Sequence, residues 1–151
     1  MSPLGQTNLE QYHLMPILGV DYGTKITGLA FYCPGREPFP LPFGQIIYHN
    51  DQQLSSDIAR VVADEAIELV VVGLPLFTDG KESDMTARVR KFAATLSEFI
   101  PTTPICLQDE TLTSYEAADR MKNSPLYNYK VDESKIDALA ASIILEDFFR
   151  H

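Results

Sequence analysis

Apolar and polar positions along the chain follow two periods. Ile17-Leu18-Gly19-Val20 is an apolar run that ends in Asp21, a turn follows at Gly23, and Gly28-Leu29-Ala30-Phe31-Tyr32 is a second apolar run. Two such runs around a short turn read as antiparallel strands, with Asp21 at the end of the first. Gln45–Tyr48 reads as a third strand, after a connection carrying Pro34, Pro38, Pro40 and Pro42. Leu54, Ile58, Val61 and Val62 then recur at helical spacing within 52–66. Leu69–Gly73 has no polar interruption, the pattern of a strand covered on both faces. The polar stretch 78–83 predicts a loop, and Val89, Phe92, Ala93, Leu96 and Phe99 place a helix that ends before Pro101. Ile105-Cys106-Leu107 is a further strand, leading into Asp109 and Glu110. Thr113 and Glu116 have capping-box spacing and open a short helix. Residues 123–131, with Pro125, Tyr127 and Tyr129, form a loop. Ile136, Leu139, Ala140, Ile143 and Ile144 make one stripe of a final helix. A strand meander followed by strand–helix alternation predicts an α/β fold: a five-stranded mixed sheet, antiparallel first and parallel afterwards, flanked by helices.

Length and composition fit one soluble domain over 17–151 of the 151 residues, preceded by a partly disordered extension over 1–16. The extension has no basic start followed by an apolar core, so it does not read as a secretory signal, and no apolar run approaches the roughly 20 residues of a membrane helix. Cys33 and Cys106 lie in or beside strand-like runs, as reduced core thiols of a cytoplasmic protein do. His13, His49 and His151 are scattered, without the spacing of a zinc site.

Charge restricts the partners. A net charge of −9 argues against a general nucleic-acid coat. The acidity is concentrated in residues 1–87, with 4 basic and 11 acidic side chains, whereas 88–135 carry 7 of each. Any nucleic-acid contact therefore draws on cations of the middle segment together with Lys25 and Lys81, and its affinity is modest and strongly salt-dependent.

Three carboxylates stand at the edges of apolar elements: Asp21, Glu110 and Asp137. Metal-dependent phosphoryl chemistry needs rigid carboxylates in such places. Each also has a plainer reading. Asp before Gly is ordinary turn chemistry, and a first-turn Asp137 suits the helix dipole. Spacing alone favours the plainer reading of Asp137.

Four blocks in order make the chain resemble the YqgF/RuvX family, the Holliday-junction-resolvase-like proteins of the ribonuclease H superfamily, regarded as pre-16S ribosomal RNA nucleases. They are Leu18-Gly19-Val20-Asp21-Tyr22-Gly23-Thr24-Lys25 with Gly28; Val71-Val72-Gly73-Leu74-Pro75-Leu76 with Asp79-Gly80 and Glu82-Ser83; Asp109-Glu110 with Leu112-Thr113; and Asp137-Ala138-Leu139-Ala140-Ala141 with Ile144-Leu145. The chain departs from the family pattern at Thr111, where Arg is usual, and at Ile26, where a second cation often follows Lys25. The loop before the last helix keeps only Lys130 and Lys135 near it.

The resemblance implies a ribonuclease H-like fold and a site of Asp21, Glu110 and Asp137 holding Mg²⁺ or Mn²⁺, with two ions about 3.5–4 Å apart serving in-line phosphodiester hydrolysis. Adjacent strand residues face opposite ways, and the resemblance selects Glu110 as the ligand, leaving Asp109 to order the following turn. Glu133, four residues before Asp137 and expected on the same helical face, is a candidate auxiliary ligand that also reads as a solvated carboxylate, and Thr113 is a further auxiliary candidate. Gly23, Thr24, Lys25, Lys81, Arg88 and Lys91 are candidate phosphate contacts; the plainer reading of each cation is an ordinary surface charge, less so for Lys81, whose loop is expected near the metals. Tyr127 and Tyr129 suit stacking on bases or packing over the last helix.

The expected function is 5′ maturation of pre-16S rRNA by a metal-dependent endo- or exonuclease, acting as monomer or homodimer in the cytoplasm. Two alternatives stand beside it: a resolvase acting on branched DNA, and a weakly catalytic ribosome-assembly or RNA-binding factor. A nucleotide-dependent kinase opens with a similar Asp-Gly-Thr hairpin but needs two such domains, more than 151 residues supply.

Overall fold

A computed structural model describes residues 9–110 and 113–150, apart from the side chains of 113–115. Strands β1 (Ile17–Asp21) and β2 (Ile26–Tyr32) form the expected antiparallel hairpin, and β3 (Leu41–Ile47) pairs antiparallel with β2. Strand β4 (Leu69–Pro75) runs parallel to β1, and β5 (Ile105–Glu110) parallel to β4. The order across the single sheet is β3-β2-β1-β4-β5. This is the mixed five-stranded sheet that the pattern predicts. Helices α1 (Asp51–Asp64), α2 (Asp84–Phe99), α3 (Thr113–Lys122) and α4 (Ile136–Arg150) complete the fold.

Strand β3 starts earlier than the sequence pattern indicates, taking Pro42 out of the connection and into a strand. Proline is tolerated because β3 is an edge strand, where a missing amide breaks no ladder on the open side. Pro42 pairs with Ala30 at a register shift between Leu29 and Ala30. The loop over 123–131 also contains a short 3₁₀ turn, Pro125–Tyr127, where Ser124 Oγ accepts from the Leu126 amide.

Each face of the sheet has its own core. Leu18, Val20, Leu29, Val70 and Val72 point to one side and meet Leu54 and Ile58 of α1 and Phe92 and Leu96 of α2. Ile17, Ala30, Tyr32, Leu69 and Val71 point to the other and meet Ala141, Ile144, Leu145 and Phe149 of α4. Helix α3 covers the outer side of α4, packing Ala117 and Met121 on Leu139, Ala140 and Ile143, with Tyr127 against the same cluster. Enclosed between sheet and α3, α4 is buried continuously from Ala138 to Leu145, which fixes its register over the sheet.

A helical turn at Leu9–Gln11 precedes β1, and the Tyr12 ring packs tilted against Phe148 and edge-to-face against Phe149, tying that end of the chain to α4. Cys33 and Cys106 are free thiols. Among the described residues no helix is long and apolar enough to cross a membrane.

Candidate active site

Strand register sets Gln45 of β3, Gly28 of β2 and Asp21 of β1 side by side across the sheet. The first turn of α4 lies directly on this row. A Cβ at Gly28 would stand 1.8 Å from the Asp137 carbonyl oxygen, so only glycine permits the approach. On one flank, Gln45 Oε1 accepts hydrogen bonds from the amides of Asp137 (3.1 Å) and Ala138 (3.2 Å). On the other flank lies Asp21.

The electrostatics follow from that packing. Asp21 is only partly open to solvent, and burial, followed by the negative charge of Asp137, pushes its pKa up to about 7. Burial, and then Glu133, also hold the Asp137 carboxyl above its ordinary range. Glu133 is exposed and lies in the turn before α4, so it shares no helical face with Asp137 and acts on it through charge. Two carboxylates on β1 and α4 thus act on each other as like charges.

Glu110 ends β5 on the side facing α4. Its register partner is Pro75, and a Cβ built on the intervening Gly73 would lie 3.7 Å from Glu110 Cγ and 2.4 Å from Ile144 Cδ1. Asp21, Glu110 and Asp137 therefore occupy one face, at the ends of β1 and β5 and the start of α4. Asp109 points the opposite way, toward Arg90 of α2. The three candidates do not form a closed ligand cluster: among the described residues, no group of three His, Cys, Asp or Glu could hold a metal ion. Asp21 and Asp137 form the electrostatically coupled pair.

The candidate phosphate contacts divide by location. Thr24 and Lys25 are exposed on the β1–β2 turn, while the Gly23 amide is turned inward, donating to Thr27 Oγ1 at 3.3 Å. Lys81 is exposed on a loop closed by the Leu76–Glu82 bridge, and the Leu76 amide donates to the Glu110 carbonyl at 2.8 Å. That loop is tethered to the backbone of Glu110. Arg88 and Lys91 belong to α2, on the far face of the sheet. Arg88 Nη2 donates to the hydroxyls of Tyr22 (3.4 Å) and Tyr48 (3.3 Å), both of which donate to Asp51 Oδ1. Thr111 and the side chain of Thr113 lie outside the described residues. Sequence patterning missed Gln45 and Tyr22: neither joins a periodic stripe or a charge cluster, and their partners are distant in sequence.

The family model described as RuvX, Holliday junction resolvase, matches residues 15–151. A relative from Maridesulfovibrio salexigens, bearing the name "Putative pre-16S rRNA nuclease", is 36% identical over 132 residues, covering 87% of this chain and 96% of the relative. Among solved structures, Thermus thermophilus RuvC superposes with a TM-score of 0.57 at 14% identity, covering 90% of this chain and 96% of RuvC. The same protein in complex with a Holliday junction substrate gives a TM-score of 0.56 at 13% identity, covering 90% and 95%. These two likenesses carry the ribonuclease H-like fold.

Proposed function

The chain belongs to the RuvX family of Holliday junction resolvases, and from that membership we propose a nuclease that hydrolyses phosphodiester bonds in the 5′ maturation of pre-16S ribosomal RNA, in the cytoplasm. The observation that carries the site is the electrostatically coupled pair of Asp21, at the end of the central strand β1, and Asp137, at the start of α4, with Glu110 on the same face of the sheet. The chemistry of the donors, carboxylates on three different rigid elements, is that which a hard divalent cation such as Mg²⁺ or Mn²⁺ takes, while their side chains would have to close on it from positions that do not form a ligand cluster among the described residues. A bound cation supplies activation of water and stabilisation of the leaving oxygen.

The protein's own residues do the rest. Asp21, fixed in the sheet beside Gly28, provides the immobile ligand, and Asp137 approaches from α4. Glu110 has three rotatable side-chain bonds with which to complete the set. Lys81 and Lys25 flank the carboxylates on exposed turns and hold phosphate oxygens there.

The description of the family model favours a second reading, cleavage of branched DNA, and symmetry of a four-way junction would then call for a dimer presenting two sites. The test is cleavage of labelled pre-16S RNA and a four-way DNA junction in parallel, each with Mn²⁺, Mg²⁺ or chelator. RNA cleavage that needs metal supports the proposal; exclusive junction cleavage selects the second reading. Neither substrate being cut under any condition leaves an assembly factor, a role that the net charge of −9 also suits.

A further inference from the structure

Among the described residues, none on the N-terminal flank of α4 caps it. The Lys135 carbonyl accepts from the Leu139 amide at 3.1 Å, which makes Lys135 the residue preceding the helix, and a lysine side chain has no acceptor for the first free amides. Gln45, 92 residues away from Asp137 in the sequence, supplies that acceptor: its Oε1 receives both the Asp137 and Ala138 amides. These are the second and third helical positions, the pair that an ordinary capping side chain serves. Gln45 does so from the strand position next to Gly28, on which the Asp137 carbonyl rests. The first turn of α4 is therefore fixed from below by Gly28 and from the side by Gln45.

We propose that Gln45 is a positioning residue for the metal centre: by capping α4 from β3 it fixes the backbone of Asp137 relative to Asp21, from which both carboxylates reach a divalent cation. This rests on the proposed metal-dependent reading, and it concerns a residue that touches neither substrate nor metal. Two features distinguish it from a merely stabilising contact. The cap acts on the backbone of the ligand residue itself, and it comes from the same cross-strand row as Asp21, so displacement of α4 changes the Asp21–Asp137 separation directly. Residues that orient a metal ligand in this way affect metal affinity by about 10- to 100-fold when removed.

The experiment uses the full chain and Mn²⁺ alone, with binding measured by calorimetry and amide hydrogen exchange measured without metal. Gln45→Ala is expected to speed exchange at Asp137 and Ala138 and to weaken Mn²⁺ binding by about 10-fold or more. Gln45→Glu keeps an acceptor of the same length and is expected to restore both to wild-type values or better. Unchanged Mn²⁺ affinity in Gln45→Ala overturns the inference even if exchange accelerates, because the cap is then structural only. Equal loss of affinity in Gln45→Glu and Gln45→Ala overturns it as well. Wild-type protein that binds no Mn²⁺ refutes the metal-dependent reading itself and this inference with it; the mutant comparisons refute the role of Gln45 alone.

Discussion

Asp21 and Tyr22 are neighbours in the chain and enter opposite kinds of environment. Asp21 faces α4, where the coupled charge is another carboxylate, Asp137. Tyr22 turns to the α1–α2 side and joins a closed network, donating to Asp51 Oδ1 at 2.7 Å beside Tyr48 and accepting from Arg88. Burial and the hydrogen bonds to Tyr48 and Asp51 raise the Tyr22 pKa, while Arg88 opposes the rise. There a carboxylate, two hydroxyls and a guanidinium satisfy one another. The α4 side leaves like charges facing each other on elements held rigid by Gly28 and Gln45. Structure is secured on one face, and electrostatic strain that a cation can relieve is kept on the other.

The largest expected effect separates the two regions. Asp21→Asn abolishes metal-dependent cleavage and keeps the fold, whereas Tyr22→Phe retains cleavage; a gel assay on labelled pre-16S RNA reads both. Cleavage surviving in Asp21→Asn moves the centre elsewhere.

Stability against pH sharpens the same contrast. A carboxyl with a folded pKa near 7 keeps a proton that the unfolded chain has released since about 3.8. Its contribution is therefore most favourable at low pH and is lost as pH rises toward 7. Between pH 5 and 8, without divalent metal, wild type is expected to lose about 2 kcal/mol relative to Asp21→Asn by urea unfolding. A parallel pH dependence in the two proteins would contradict the raised Asp21 pKa, which burial produces first and the charge of Asp137 second.

On the α1–α2 side, Tyr22→Phe is expected to cost about 1 kcal/mol, the net value of a hydrogen bond whose partners keep other contacts, with Mn²⁺ affinity unchanged. The smallest effect concerns the cations. Lys81→Ala is expected to flatten the salt dependence of RNA binding by about one unit of slope or less. Arg88→Ala, on the far face and already engaged by two hydroxyls, should leave that slope unaltered. An equal change in both would place the RNA across α2.

Periodicity made most of the fold legible. The continuous run at Leu69–Gly73 and the stripe from Ile136 to Ile144 are driven by burial, and burial leaves a mark at every position. Pro42 misled because edge status, which makes it acceptable in β3, is a property of the sheet and not of the local sequence. Alternation correctly separates Glu110 from Asp109, since the two faces of β5 differ by one residue. The helical face expected for Glu133 beside Asp137 fails because the helix begins only at Ile136. The cap from Gln45 left no local signal at all: it depends on β2 and β3 pairing so that Gln45 lies beside Gly28 beneath α4.

Mn²⁺ binding by calorimetry to wild type and Asp21→Asn, at a pH above 7, tests most directly whether the Asp21–Asp137 pair is a metal centre. Wild type should bind, and the variant should lose most of that affinity while unfolding as cooperatively as before. Indistinguishable isotherms from the two proteins would show that the facing carboxylates do not hold the cation.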